Sequence, residues 1–255
     1  MIIEKIVTEL ETLVGDKYET LVIYSAIWPL LRIAEMPGPE ATTKLCASIL
    51  DRFSGRTLLM PTFTSGFGQN GICDLDSLAS QTGALSEAFR KTTGVRRTKS
   101  AFFSFAVHGP KATELLSLKP EEAWGEGSLY EWIHDQDAAI VTMGLHPTHC
   151  SYTHYAEWLG RRKISYRFNK TFSGSLIHEN ITMAHKETLF VRQHNPTPIN
   201  DFTGLLPEYQ INGMKYSQEF GFPLSCIGAQ AKMKAAMNVL SQNPLALLAN
   251  KESFQ

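Results

Sequence analysis

Four short runs of almost uninterrupted apolar residues constrain the fold of this chain more than any other feature. The runs are TLVIYSAI (20–27), RTLLMPTFT (56–64), SAFFSFAV (100–107) and DAAIVTMG (137–144). A strand that is apolar on both sides belongs in a sheet whose two faces are both covered. Segments with helical spacing and turn residues at their ends separate the runs. This alternation predicts an α/β protein with three layers, α/β/α, around a central largely parallel or mixed sheet.

Apolar spacing and turn residues define the predicted helices. Apolar residues at 3, 6, 7, 10, 13 and 14 predict a helix that ends at Gly15. Further helices are predicted at 37–55, 77–91, 111–118, about 151–162 and 227–242, and further strands at 163–170 and 187–193. The chain contains no internal repeat and no linker long enough to divide it. We therefore expect one domain over residues 1–255.

The balance of charge argues against several classes of protein. The 255 residues include 24 Lys and Arg against 25 Asp and Glu, so the net charge is −1. Nucleic-acid binders and proteins of acidic membrane surfaces usually carry a basic excess. No run approaches the roughly 18 apolar residues that cross a bilayer. Acidic residues interrupt the apolar positions near residue 1, so we expect no secretory signal there. Because its four cysteines lack C-x-x-C spacing, we expect reduced thiols and a cytoplasmic protein.

The densest chemistry lies in the segment GLHPTHCSYTHYAE (144–157), between a predicted strand and a predicted helix. Ligands of α/β sheets commonly bind beyond the carboxyl ends of the strands. In a helix that starts near Ser151, His154 and Glu157 lie three residues apart on one face. A carboxylate at that spacing fixes the tautomer of an imidazole and raises its basicity, which suits a general base. The other interpretation is a surface His–Glu pair without a catalytic role.

The same segment has two further interpretations. The first is a metal site, for which the candidate ligands are His146, His149, Cys150, His154 and Glu157. A metal-dependent hydrolase that uses this cluster is the alternative function, although the spacing of the residues matches no familiar zinc pattern. The second is a nucleophilic Cys150 activated by a histidine, although an inert buried cysteine is commoner.

Two other motifs raise the question of ligand binding. GFGQNG (66–71) fits G-x-G-x-x-G, but no helix opens at its third glycine and no acidic residue follows at the distance that a dinucleotide site needs. We interpret it as a flexible loop. GVRRTK (94–99) places three positive charges before a strand. Arg96 and Arg97 are thus either parts of a solvated turn or partners for phosphate groups.

Six segments, taken in chain order, form a pattern. They are 24–27 (YSAI), 55–64 (GRTLLMPTFT), 80–90 (SQTGALSEAFR), 94–98 (GVRRT), 125–128 (GEGS) and 151–157 (SYTHYAE). In this order they resemble motifs of the aminoglycoside 3-N-acetyltransferase family, namely HSSL, GTLVMPTFT, SxTGxLxExFR, GVRRS, GxGS and TxxHxxE. The resemblance covers roughly residues 15–170. The chain is identified as a divergent member of this family, with the antibiotic N-acetyltransferase fold.

The resemblance implies an acyltransferase that moves an acetyl group from acetyl-CoA to an amine of an amino sugar or aminoglycoside-like acceptor, with no metal. It implies that His154 is the general base and that Glu157 orients it. The residues expected to bind CoA are Ser25, Ala26, Arg96, Arg97 and Ser104. The residues expected to bind the acceptor are Thr64, Glu126 and His146.

The chain departs from the family pattern in two places. Residues 100–104 read SAFFS where the family has HPTHS, and the 24–27 turn lacks a histidine and a serine. These changes affect donor contacts and the acceptor pocket, and indicate a branch distant from the resistance enzymes.

The charge composition also bears on the acceptor. A polycationic aminoglycoside needs an acidic pocket, which this near-neutral chain offers only through scattered acids such as Asp74, Asp76, Glu126 and Asp201. A less charged amine, such as a nucleotide-linked amino sugar, is therefore favoured. Apart from CoA and this acceptor we expect no nucleic-acid or membrane partner, and a homodimer is an open alternative.

Overall fold

The computed structural model describes residues 2–119 and 121–254. The helices are α1 (Ile2–Val14), α2 (Gly38–Arg52), α3 (Phe67–Asn70), α4 (Ala84–Arg90), α5 (Ala112–Ser117), α6 (Leu129–Asp135), α7 (Thr153–Leu159), α8 (Leu206–Ile211) and α9 (Ala229–Gln242). The strands are β1 (Thr20–Ser25), β2 (Thr57–Pro61), β3 (Ile72–Asp74), β4 (Arg96–Arg97), β5 (Phe105–His108), β6 (Ala139–Met143), β7 (Arg167–His178), β8 (Ile181–Arg192), β9 (Lys215–Ser217) and β10 (Leu224–Gly228). Short 3₁₀ turns occupy Leu30–Arg32, Thr203–Leu205 and Lys251–Phe254.

The main sheet has seven strands in the order β4-β5-β2-β1-β6-β10-β9. β1 is parallel to both β2 and β6, and the outer strands add antiparallel pairs. The predicted mixed sheet is thus confirmed. Because β1 and β6 are parallel neighbours, the segments that follow them leave the same edge of the sheet.

The two faces of this sheet are both covered, as the apolar strands predicted. Along β1, Leu21 and Ile23 pack against α1, α2 and α4 on one face. Val22 and Tyr24 pack on the other face, in a cluster that includes residues of α5, α6, α7, α8 and α9. The alternation of side chains along one strand therefore builds both cores and gives the three-layer α/β/α arrangement.

A second sheet, in the order β3-β7-β8, lies beside the main one. Its strands β7 and β8 form a long antiparallel hairpin that pairs Arg167 with Arg192 at one end and His178 with Ile181 at the other. Glu179 and Asn180 form the two-residue turn of the hairpin, and both have the positive φ angles that a type I′ turn requires. Leu189 and Phe190 of β8 belong to the same apolar cluster as Val22 of the main sheet, so the two sheets share a core.

Several predicted boundaries differ from the structure for local reasons. The predicted helix 77–91 begins only at Ala84, because Gly83 has a φ of +109° and Glu87 accepts a hydrogen bond from the Ser80 amide. The motif 66–71 contains the single-turn helix α3, which ends at Gly71 and leads into β3. It is therefore a short helix and not simply the predicted loop.

The predicted strand 100–107 is the largest of these differences, since only Phe105 and the residues after it form β5. Ser100 Oγ accepts hydrogen bonds from the amides of Phe102 and Phe103 and donates to the buried Glu187 carboxylate. Such side-chain bonds compete with a strand ladder, and here they form a turn before β5.

No helix within the described parts of the chain is long and apolar enough to cross a membrane.

The turn that follows β6 depends on Gly144, which has a φ of +68°. A Cβ atom at this position would lie 2.0 Å from the carbonyl oxygen of Ala26 and 2.8 Å from the ring of Phe222. Gly144 therefore lets the segment after β6 approach the end of β1. Gly127 has nearly the same φ, +70°, but a Cβ there would meet nothing within 4 Å.

We predict that Gly144→Ala lowers the free energy of unfolding by at least about 1 kcal/mol more than Gly127→Ala. Both substitutions impose the strain of a left-handed residue, but only the first adds a backbone overlap. Urea unfolding of both variants measures the difference. Equal losses of stability would contradict the close approach of Gly144 to Ala26.

Candidate active site

The end of β1 and the segment after β6 form the centre of the site. The Ala26 amide donates to Met143 O (2.9 Å), and Tyr24 Oη lies 3.0 Å from Ser151 Oγ. Ser151 Oγ also accepts from Tyr130 Oη at 2.8 Å. These bonds position the start of α7, the helix that carries the predicted His154 and Glu157.

His154 and Glu157 are in direct contact, as the spacing predicted. His154 Nδ1 lies 2.5 Å from Glu157 Oε2. The other carboxylate oxygen, Oε1, accepts from Tyr166 Oη (2.8 Å) and from Arg167 Nε (2.9 Å). The Glu157 side chain is completely buried, whereas that of His154 is 23% exposed. The pair is therefore largely buried, unlike the surface His–Glu pair of the other interpretation.

The surroundings of Glu157 keep its carboxyl group ionised. Burial alone would raise its pKa, but His154, Arg167 and Tyr166 together lower the pKa to about 2. An ionised carboxylate only accepts hydrogen bonds, so His154 Nδ1 must carry the proton of their shared bond. The neutral ring then has its free lone pair on Nε2.

The His154 ring is also held by two aromatic side chains. Phe202 meets it edge-to-face at a centroid distance of 5.4 Å, and Trp124 does so at 6.3 Å. Arg167 Nη2 lies 3.2 Å from Nδ1, but it forms no hydrogen bond there, because both nitrogens carry protons when Nδ1 donates to Glu157. The two aromatic contacts and the bond to Glu157 together hold the ring in place.

Two cavities meet at His154. The first, of about 490 Å³, we call the Ser25 cavity; its lining includes Tyr24, Ser25, Pro61, Phe63, Thr82, Leu145, His149, Cys150, Ser151 and Phe202. The second, of about 480 Å³, we call the hairpin cavity; its lining includes Trp124, Arg167, Lys170, Phe172, Arg192, His194 and Asn200. His154 and Phe103 line both cavities. The imidazole is thus accessible from two sides.

A third cavity, of about 380 Å³, adjoins the first. Leu145 lines both of them. We call it the Trp28 cavity, because its wall includes the exposed side chain of Trp28 together with Arg32, His146 and Tyr216. Arg32 packs over the Trp28 ring, 4.7 Å from its centroid.

Ser25 is the one predicted CoA-binding residue that lines a cavity at His154. Its hydroxyl is buried and has no hydrogen-bond partner among residues 2–119 and 121–254. A buried hydroxyl without a partner is costly, and a bound ligand satisfies it. The neighbouring Ala26 amide is already bonded to Met143 O, so this N–H is not available to a ligand.

Three predicted binding residues are buried within the protein. Arg97 donates to Thr62, Ser104, Leu75 and Leu78, and burial lowers its pKa to about 10. Ser104 Oγ in turn donates to Thr62 O. Thr64 Oγ1 donates to Ala101 O at 2.7 Å. These polar groups bind other parts of the chain, and none of the three lines the cavities at His154.

The remaining predicted residues also lie apart from His154. Arg96 forms a salt bridge with Glu179 near the hairpin turn. Glu126 is exposed in the turn before α6. His146 lines the Trp28 cavity, with Nδ1 2.7 Å from Thr148 Oγ1, and burial together with the nearby His149 lowers its pKa.

The histidine cluster does not form a metal site. Within the described residues, no group of three or more His, Cys, Asp or Glu side chains is placed to hold a metal ion. The rings of His146 and His149 are 5.5 Å apart, while His154 is bound to Glu157. Cys150 is buried and lines the Ser25 cavity, with its Sγ 3.7 Å from Thr153 Oγ1.

Sequence reasoning missed the residues that complete the His–Glu pair. Tyr166 and Arg167 lie in the predicted strand 163–170, to which no site residue was assigned, and Trp124 and Phe202 belong to no motif identified in the sequence. Nothing in their local spacing shows that they meet α7. A tyrosine and an arginine nine and ten residues after the glutamate of H-x-x-E would be the signal to seek in related chains.

The fold and the site define an α/β protein in which two cavities meet at a histidine bound to a buried carboxylate, beyond the ends of parallel strands. The sequence profile of aminoglycoside 3-N-acetyltransferase matches residues 20–210, and the chain belongs to that family. It is accordingly an N-acetyltransferase, and acetyl-CoA is the co-substrate of its family. The family membership and the acetyltransferase activity that the six sequence motifs predicted are thus confirmed.

Solved structures share the fold at low sequence identity. The aminoglycoside acetyltransferase AAC(3)-IIb is 15% identical with a TM-score of 0.75, over 94% of this chain and 97% of that one. AAC-IIIb in a binary complex with CoASH is 17% identical with a TM-score of 0.71, over 94% and 96%. AAC-VIa bound to sisomicin is 17% identical with a TM-score of 0.70, over 94% and 96%. A search of curated proteins found no match.

We predict that Glu157→Gln destabilises the protein most at neutral pH. The folded-state pKa of about 2 lies below the ordinary 4.5, so the carboxylate contributes stability above about pH 4.5 that is lost as the pH falls toward 2. That contribution is on the order of 3 kcal/mol. Urea unfolding between pH 3 and 7 measures the difference between wild type and variant.

The exposed Glu126 supplies the matched control. Glu126→Gln removes the same charge and should leave the stability within about 0.5 kcal/mol of wild type. If the loss caused by Glu157→Gln is the same at pH 3 as at pH 7, the carboxylate is not held in the ionised state described above.

Proposed function

We propose that His154 is the general base for direct transfer of the acetyl group of acetyl-CoA to an amine of an amino sugar or aminoglycoside-like acceptor. The observation that carries the proposal is the position of His154 where two cavities meet, with Nδ1 bound to a buried carboxylate. One cavity can hold the thioester and the other the amine, with the imidazole between them.

The chemistry requires a proton acceptor and the residues offer one. The amine nitrogen forms a bond to the acetyl carbon while the bond from that carbon to sulfur breaks. The amine loses a proton, which His154 Nε2 accepts and later returns to the departing thiolate. Glu157 stabilises the positive charge that His154 carries between these steps. Acetyl-CoA supplies the activated acyl group, and no metal takes part.

The Ser25 cavity suits the thioester arm of the donor. Its wall is mostly apolar, and the unpartnered Ser25 hydroxyl offers one hydrogen bond to the arm. We place the nucleotide end of CoA in the adjoining Trp28 cavity, where Arg32 offers charge and Trp28 and Tyr216 offer aromatic faces. This replaces the earlier expectation that Arg96 and Arg97 bind the phosphates, since both guanidinium groups are bound within the protein.

Two further points extend the proposal. AAC-IIIb binds CoASH and AAC-VIa binds sisomicin, and we infer that this chain likewise binds CoA and an amine. We also propose that residues 1–255 act as a single acyltransferase domain, because the two sheets share one apolar cluster. The homodimer and the cytoplasmic location stay predictions.

We predict that His154→Ala lowers turnover by about 10²–10⁴-fold, as the loss of a general base does. Release of CoA thiol from acetyl-CoA, measured across a panel of amines, gives the rate. His149→Ala is the matched control, because His149 lines the same cavity but lies within 4.0 Å of no carboxylate in the described chain. Near-normal turnover of the His154→Ala enzyme, or equal losses in both variants, would refute the role of His154.

We predict that Cys150→Ala retains activity within about threefold of wild type, since direct transfer has no covalent enzyme step. Cys150 lines the Ser25 cavity and is the nucleophile that an acyl-enzyme would need. Mass spectrometry of wild type quenched during turnover gives a second readout. Loss of activity together with an acetylated Cys150 peptide would overturn direct transfer.

A further inference from the structure

The charge of the hairpin cavity distinguishes it from the other cavity at His154. Its lining includes Arg167, Lys170, Arg192 and His194 but no aspartate or glutamate. The lining of the Ser25 cavity carries no Asp, Glu, Lys or Arg. A cavity with several cations and no carboxylate attracts anions and repels a polycation.

Two of these cations, Lys170 and Arg192, have no carboxylate partner among the described residues. Arg167 and Arg192 lie directly opposite each other across the β7–β8 hairpin, and like charges in that register destabilise a sheet. Arg167 is neutralised by Glu157. Within residues 2–119 and 121–254, no carboxylate oxygen lies within 4.0 Å of the Arg192 or Lys170 side-chain nitrogens. In the described parts of the chain, the Arg192 side chain donates one hydrogen bond, to the carbonyl of Pro198 at 3.1 Å. Lys170 and Arg192 are both exposed on the lining of the cavity, so their charged groups are available to bind an anionic ligand.

The acidic residues that an aminoglycoside pocket would need are used elsewhere. Asp74 and Asp201 accept hydrogen bonds within their own turns, and Asp76 binds the amides of Glu179 and Asn180 at the hairpin turn. Glu126 is exposed before α6. None of the four belongs to the lining of a cavity at His154, so neither lining carries an acidic patch; Asp201 lies nearest, between the lining residues Asn200 and Phe202.

Phe103 gives the hairpin cavity an apolar wall. It occupies the position of the second histidine of the family's HPTHS motif, and the turn bound by Ser100 and Glu187 holds its backbone. Its ring packs against Trp124 at a centroid distance of 4.8 Å, and Phe172 lies on the same lining. The cavity therefore combines aromatic surface beside His154 with cations at the rim, the combination that suits a sugar ring bearing an anionic group.

Resting on the proposed function, we propose that the acceptor is an amine that also carries phosphate, of the class of sugar-phosphate or nucleotide-linked amino sugars. Its amine lies at His154 in the hairpin cavity, and its phosphate binds Lys170 and Arg192. This separates the acceptor from the polycationic aminoglycosides. The donor occupies the Ser25 and Trp28 cavities, so both reactants fit at once.

The direct test measures binding of inorganic pyrophosphate by calorimetry to the full-length protein saturated with CoA. Wild type and His154→Ala should bind it, and Lys170→Gln/Arg192→Gln should bind at least about 10-fold more weakly, the loss expected when charged hydrogen bonds are removed. Arg162→Gln/Lys163→Gln is the matched control, because it removes two exposed charges that line a different cavity. This control should bind like wild type.

Three outcomes of this test would count against the proposal. One is that the CoA-saturated wild type does not bind pyrophosphate. Another is that pyrophosphate binds only when CoA is absent and the binding depends on Lys170 and Arg192, because the hairpin cavity would then hold the phosphates of CoA. Equal weakening in the control variant would also count against a specific site.

Kinetics with matched amines give the second test. Glucosamine 6-phosphate should show a kcat/KM at least about 10-fold above that of glucosamine and above that of sisomicin. Lys170→Gln/Arg192→Gln should raise the KM for the phosphorylated amine about 10-fold or more while kcat and the KM for acetyl-CoA stay within about twofold, as the loss of uniform binding predicts. A preference for sisomicin would overturn the acceptor class but leave the role of His154 intact, whereas full activity of His154→Ala would overturn the proposed base and not the pyrophosphate result.

Discussion

One buried carboxylate organises the site. Glu157 on α7 is completely shielded from solvent and receives hydrogen bonds from a histidine of its own helix and from Tyr166 and Arg167 at the start of the hairpin. Leaving such a charge without partners would cost several kcal/mol. The four groups therefore hold α7 and β7 together and orient the imidazole in the same arrangement. Stability and site geometry depend on the same contacts.

The sheet topology explains why this arrangement lies between two cavities. Parallel pairing of β1 with β6 brings Ser25 and the 144–152 segment to one edge of the sheet, which forms the Ser25 cavity. The hairpin then borders the other side of His154 and brings its cations with it. One cavity is uncharged apart from histidine and the other is basic. Because of this difference, we assign the thioester arm of acetyl-CoA to the Ser25 cavity and an anionic acceptor to the hairpin cavity.

Local pattern was sufficient for most of the main sheet and for the central pair. Runs such as 20–27 and 137–144 are apolar on both sides because both faces of β1 and β6 are buried. His154 and Glu157 could be paired because residues three apart lie on the same face of any α-helix. Boundaries failed where a side chain bonded to the backbone, as Ser100 does before β5. Only the outer ends of the long hairpin were predicted, as strands 163–170 and 187–193, because its middle is polar and its Glu179-Asn180 turn lacks the Asn-Gly or Asp-Gly pair typical of such turns. Trp124 and Phe202 were missed because they reach His154 from distant segments. Arg97 shows the converse: a basic motif typical of a phosphate site is buried and binds the protein's own carbonyl groups.

The state of one ring nitrogen tests the central claim most directly. In protein labelled with ¹⁵N-histidine, NMR distinguishes the protonated from the unprotonated ring nitrogen of His154, with His154→Gln used to assign the signals. At a pH where the ring is neutral, we expect the proton on Nδ1, bound to Glu157, and a free lone pair on Nε2 facing the cavities. A neutral ring protonated on Nε2 would contradict the arrangement and remove the base from the site.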